Sequence, residues 1–127
     1  MAVEDPGIPV NRDLQRRRGD TWPLAIQLLQ KGTTTPLADI SGYGFKLDVD
    51  TLKDPPGNVT SATNVFSRAG VITDGPNAKF EFPLSDAEAD LAPDTYYYEI
   101  EWTDTSGDRR TIMEGKWVVK QDRVKGA

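Results

Sequence analysis

Apolar and polar positions alternate most strictly from Thr95 to Trp102. Tyr96, Tyr98, Ile100 and Trp102 share one parity, and Thr95, Tyr97, Glu99 and Glu101 the other. A period of two, with aromatic and β-branched residues on the apolar side, predicts a strand with one buried face. This strand is expected at the centre of the fold. Phe45 to Asp50 repeats the pattern with Phe45, Leu47 and Val49 inward, and Ala78 to Leu84 repeats it with Phe80, Phe82 and Leu84 inward. Trp22 to Leu29 predicts a first strand with Trp22, Leu24, Ile26 and Leu28 on one face. Pro23 cannot donate a ladder hydrogen bond, which sets that strand's beginning at a sheet edge or just outside it.

Punctuation divides the rest. Lys53 to Ala62 is a loop by composition, and Asp74-Gly75-Pro76-Asn77 is a turn. Short strands are expected over 63–66 and 69–73, around Ser67-Arg68, in an exposed hairpin. Ser85-Asp86-Ala87-Glu88 has the S-x-x-E spacing of a capping box and opens about one helical turn, which Ala92-Pro93 stops. Asp104 to Asp108 supplies a hairpin loop containing Gly107. In the last strand, Arg110 to Lys120, Ile112 differs in parity from Trp117 and Val119; a bulge at Gly115 would return both halves to one face. Together these elements predict an all-β chain, an antiparallel β-sandwich of about seven strands. It is organised as an extended N-terminal arm (1–20), a sandwich (21–120) and a polar tail (121–127).

Composition removes several kinds of chemistry. The 127 residues contain no cysteine and no histidine, so disulfides, thiolate sites, Ser-His-Asp and Cys-His machinery cannot be built. No apolar run is long enough to span a bilayer. The acidic MAVEDPGIPV start lacks the basic and apolar regions of a signal peptide, so synthesis in the cytosol without export is expected. A net charge of −5 argues against nucleic acid as partner. That charge is uneven: ten acids face one base, Lys79, between Asp74 and Asp108, whereas Arg12, Arg16, Arg17 and Arg18 outnumber Asp13 in the arm. Such asymmetry lets copies meet head to tail.

Three chemical readings compete with plain surface. Glu99 and Glu101 could divide acid and base duties as in a glycosidase, but residues i and i+2 lie about 7 Å apart on any solvated strand face. Asp104 to Asp108 offers carboxylates without the spacing of a calcium loop. Tyr43 and Tyr97 would form a carbohydrate platform only if exposed together. Arg18-Gly19-Asp20 is better explained as a turn than as an integrin motif, and the sequon Asn58-Val59-Thr60 has no meaning without secretion. No enzyme activity, metal or cofactor is expected. The candidate partner-binding residues are Arg12, Arg16, Arg17, Arg18, Tyr97, Glu99 and Glu101.

The run Leu91-Ala92-Pro93-Asp94-Thr95-Tyr96 resembles the tyrosine corner of immunoglobulin-like sandwiches, in which a Tyr near a strand start bonds to upstream backbone. More broadly, residues 18–28, Ile40 to Leu47, Leu84 to Ala87, the corner with Tyr97-Tyr98-Glu99, Arg110-Thr111-Ile112 and Gly115 to Val119 resemble, in order, the N-terminal immunoglobulin-like domain of baseplate upper proteins of tailed bacteriophages. The likeness spans about residues 18–122. It implies a virion structural protein made in the host bacterial cytoplasm, a tail or baseplate adaptor that docks onto other virion proteins as a homo-oligomer. A capsid decoration or head-fibre protein, or an adhesin module for host-surface glycans, is the alternative.

Overall fold

The computed structural model describes residues 2–4, 10–52 and 64–121; the loop expected over 53–62 and most of the expected tail lie outside the described residues. In chain order the strands are β1 (Ala2–Glu4), β2 (Val10–Asn11), β3 (Leu14–Arg17), β4 (Leu24–Leu29), β5 (Gly44–Asp50), β6 (Asn64–Ala69), β7 (Val71–Asp74), β8 (Lys79–Phe82), β9 (Asp94–Thr103) and β10 (Arg109–Lys120). One helical turn, α1 (Asp86–Ala89), precedes β9. The smaller sheet runs β1-β4-β8-β7 and the larger β2-β10-β9-β5-β6, with β3 also on β10. The chain is an all-β sandwich, as the alternation predicts. The seven strands β4 to β10 pair antiparallel throughout, but β1, β2 and β3 pair parallel with their neighbours.

The inward parities meet between the sheets. Leu24, Ile26, Leu28, Phe80 and Phe82 come from the smaller sheet, and Phe45, Leu47, Val49, Tyr98, Ile100, Met113, Trp117 and Val119 from the larger; all are buried. Phe45 and Phe80 stack across the interface with centroids 3.8 Å apart, and Trp117 meets Tyr98 and Phe66 edge-on. Such aromatic pairs add about 1 kcal/mol each beyond the area they bury. β9 is the spine, paired to β10 over its length and to β5 from Tyr97 to Thr103. At its base the Tyr96 hydroxyl donates to the Ala92 carbonyl at 2.8 Å, which is the expected corner.

The capping box is also as expected. The Ser85 hydroxyl accepts from the Glu88 N–H at 3.2 Å, and the Ser85 N–H donates to Glu88 Oε1 at 2.9 Å. The same oxygen also accepts from both Nε and Nη2 of Arg68 in β6, tying the helical turn to the larger sheet. Burial pushes the Glu88 carboxyl up, but the bonds from Arg68 and Ser85, with the Arg68 charge, outweigh burial and hold it below the usual range.

Four sequence expectations need correction. Trp22 is not inward: it is 79% exposed, because the strand begins only after Pro23, at Leu24. Ser67-Arg68 does not separate two short strands but lies within β6, which pairs with β5 in one sheet, whereas β7 pairs with β8 in the other across the Asp74–Asn77 turn. The chain changes sheets at Gly70, where a Cβ would lie 2.8 Å from the Phe45 Cβ. The bulge in β10 falls at Ile112, not Gly115, and buries both Ile112 and Met113. Gly115 is instead where the N-terminal segment crosses: an added Cβ would lie 2.7 Å from the Arg12 carbonyl carbon. The strands of the expected arm pair within their own chain: β1 lies on β4, and β2 and β3 lie on β10.

Tyr96→Phe removes the corner hydrogen bond and should cost about 1 kcal/mol in chemical denaturation. Gly115→Ala should cost about 1–3 kcal/mol by forcing backbone against backbone; a neutral result would show that the crossing is not packed as described. Because the folded Glu88 carboxyl titrates low, its contribution is complete above the ordinary glutamate value of 4.5 and is lost as pH falls through its folded value. The melting-temperature gap between wild type and Glu88→Gln should therefore narrow from neutral pH to about pH 3.

Candidate functional site

The outer face of the larger sheet carries most of the polar residues that the sequence singles out. Register sets them in rows across β5, β9 and β10: Gly44, Thr103, Arg109; then Lys46, Glu101, Thr111; then Asp48, Glu99, Glu114. Tyr97 and Lys116 stand side by side one row further on. Three carboxylates thus lie directly opposite one another in one row, an arrangement that is destabilising unless it is compensated. Local donors compensate part of it: the Thr111 hydroxyl donates to Glu99 Oε1 at 2.7 Å, the Ser67 hydroxyl donates to Asp48, and Lys46 Nζ lies 3.8 Å from Asp48 Oδ1. Among the described residues, no group of three or more acids is disposed to hold a metal.

The basic residues expected to reach a partner are engaged largely within the chain. The Arg12 N–H donates to the Glu114 carbonyl at 2.8 Å, and its own carbonyl accepts from the Tyr98 hydroxyl. Burial raises the Tyr98 pKa, and the acids Asp13 and Glu114 add to this against the opposing pull of Arg12. Arg16 points inward, its guanidinium 5.9 Å from the Trp117 ring centroid, and donates to the carbonyls of Asp20 (3.2 Å) and Trp22. Its burial lowers the guanidinium pKa, and Asp20 pulls the other way. Arg18 Nε bonds Asp90 Oδ1 at 2.8 Å. Arg17 sits on the outer face and donates to the Gln121 carbonyl at 3.4 Å. Glu99, Glu101 and Tyr97 do share one surface; the four arginines do not join it as a patch.

Tyr43 and Tyr97 are not brought together. Tyr43 packs edge-on to Trp102 at 5.4 Å and against Phe45, whereas Tyr97 lies on the outer face.

Two features escape the sequence reading. An open groove of about 250 Å³ is lined by Gly44, Phe45, Lys46, Glu101, Thr103 and Arg109. Gly44, which has no side chain, forms part of its lining. The other feature is Trp22, a large apolar side chain presented to solvent on a backbone that Arg16 pins. Pro23 was its signal: a proline after an aromatic residue can end the strand rather than sit within it.

These features define a two-sheet β-sandwich whose distinctive chemistry lies on one outer face and one end. No protein-family model matches the sequence, and no curated protein does. Among solved structures the chain is similar to the N-terminal domain of phage TP901-1 ORF48, with 13% identity, a TM-score of 0.56 and 94% of each chain covered. At that identity the likeness is one of fold.

Trp22→Ala should leave unfolding free energy within about 0.5 kcal/mol of wild type. Trp117→Ala, which empties the core beside Tyr98 and Phe66, should cost about 3–5 kcal/mol. A large loss at Trp22 in denaturant titration would contradict its exposed placement.

Proposed function

We propose that this chain is a non-enzymatic structural component of a bacteriophage virion, a tail or baseplate adaptor that binds other virion proteins and is present in several copies per particle. The observation that carries this reading is the likeness to the phage TP901-1 ORF48 N-terminal domain over 94% of both chains. The motif order noted in the sequence points the same way and arises independently of that comparison. An immunoglobulin-like description of the sandwich is supported by the Tyr96 corner and by the division of β4, β8 and β7 from β5, β9 and β10. Tyr98, two residues beyond the corner Tyr, holds the place where antibody domains carry the second cysteine of their disulfide. Here that position is an aromatic core residue bonded to the Arg12 carbonyl.

A binding role suits the chemical inventory. Without histidine or cysteine, the candidate groups are carboxylates held by neighbouring hydroxyls on an open sheet face. Such a face offers charge and hydrogen-bond complementarity to another protein.

Quantitative mass spectrometry of purified virions should find the chain in multiple copies, and labelled antibody should mark the tail rather than the head. Absence from purified particles would sink the proposal. Labelling of the capsid would replace the adaptor role with a decoration role.

A further inference from the structure

The N-terminal strands are attached to a sandwich that is complete without them. β4 to β10 build both sheets by antiparallel pairing, and β1, β2 and β3 are added in parallel, β1 beside β4 and the other two beside β10. None of the described side chains from Val10 to Arg17 is fully buried; Val10 and Leu14 pack on the core from its edge. A terminal segment with so few buried apolar contacts opens at a lower free energy than the core it lies on.

The site beneath that segment is costly to leave empty. Arg16 lies over the buried Trp117 ring, the Tyr98 hydroxyl donates to the Arg12 carbonyl, and the Lys116 N–H donates to Asp13 Oδ1 at 3.0 Å. Opening uncovers an aromatic core residue and strips Tyr98 and the β10 edge of these hydrogen-bond partners. The docked segment extends to Gly19, whose N–H donates to the Ala89 carbonyl, beside the Arg18 pairing with Asp90. Beyond it, Asp20, Thr21, Trp22 and Pro23 are exposed and lie in neither strand nor turn. Pro23 biases Trp22 toward extended backbone, which suits a connector that leads away from its own sandwich.

We propose that two copies of this chain exchange their N-terminal segments. β1, β2 and β3 of each dock on β4 and β10 of the other, with Asp20 to Pro23 as the hinge. The occupant of the site is not in question, because the same segment already fills it in the closed chain. Contacts that close one chain, Arg12 on Tyr98 and Arg16 on Trp117 among them, re-form across the pair, so exchange is a low-cost route to a twofold dimer. The two hinges pass each other near the axis, which gives the exposed Trp22 indole an apolar neighbour that the closed chain lacks. The inference deepens the multi-copy part of the proposed function, since copies held together in a particle favour exchange by their local concentration. The exchange itself does not depend on which particle carries it.

The test introduces a cysteine pair, Arg17→Cys with Lys120→Cys, into a chain that has no cysteine of its own. The two exposed side chains are direct register partners on β3 and β10. Neighbouring strands lie about 4.8 Å apart, within the range of roughly 4.4–6.8 Å over which a disulfide closes. Oxidation then links a closed copy to itself and an exchanged pair across the two chains. On a non-reducing gel, the interchain fraction should rise on the order of ten-fold or more when the protein is incubated at about 1 mM rather than about 10 µM before oxidation, because a tethered segment competes at millimolar effective concentration. Protein oxidised first at the lower concentration is locked closed with its outer surface otherwise unchanged. Concentrated afterwards, it should sediment as a monomer where wild type sediments as a dimer, and reduction should restore the dimer. Wild type that stays monomeric at the higher concentration, or locked protein that dimerises as readily as wild type, would overturn the proposal. A disulfide that closes at neither concentration would overturn it too, by contradicting the pairing that the exchange uses. None of these outcomes alters whether the chain is found in virions, so the two proposals fail separately.

Discussion

β9 is the element that the other strands answer to. Its inward side chains, Tyr98 and Ile100, are at the centre of the core, and its two edges template β5 and β10. Because side-chain direction in a strand has a period of two, a one-residue slip would expose the whole aromatic set and bury Glu99 and Glu101. The Tyr96 corner sets where that register begins, and Tyr98 carries it to the sheet edge by bonding the Arg12 carbonyl over Gly115. A single strand thus links the central packing, the helical-turn connection before it and the N-terminal closure of the larger sheet.

The same alternation decides what remains for function. Everything that faces inward from β9 is committed to packing, so interaction must come from the opposite parity and from the ends. On the outer face, carboxylates lie in a row and are steadied by hydroxyls. At one end a tryptophan is displayed, and at the other lies a shallow groove beside Gly44. A rigid body with chemically distinct ends is a suitable unit for assembly, where orientation matters more than reactivity.

How much of this was legible follows from the physics of each signal. The inward faces of β5, β8 and β9 were readable because a half-buried strand writes its burial directly into sequence parity. The capping box and the tyrosine corner were readable because both are local, with donor and acceptor three or four residues apart. The N-terminal segment was not. β3 is four residues long and carries one aliphatic residue, Leu14, on its inward side, and its partner β10 lies about a hundred residues away. On sequence alone Arg16 counts as a charge for a partner, because composition does not report a guanidinium turned onto a tryptophan ring. Gly115 and Gly70 drew attention or escaped it for related reasons: a glycine marks close approach, but only the fold says what approaches. The outer-face residues Tyr97, Glu99 and Glu101 were placed correctly by parity, whereas the groove depends on the lateral register of three strands and has no linear trace.

The parallel seating of β3 on β10 has a mechanical consequence. Arg17 lies level with Lys120, and Leu14 with Trp117, so the two strands run in the same direction. Tension applied upstream of β3 and downstream of β10 pulls them past each other along their axes. Their hydrogen bonds are then loaded together, in shear, rather than opened one after another from an end. Antiparallel strands joined by a hairpin, pulled at their free ends, would unzip instead. A load that reaches β3 and β10 therefore meets this pairing in shear, and the core behind Trp117 stays closed until the pairing yields.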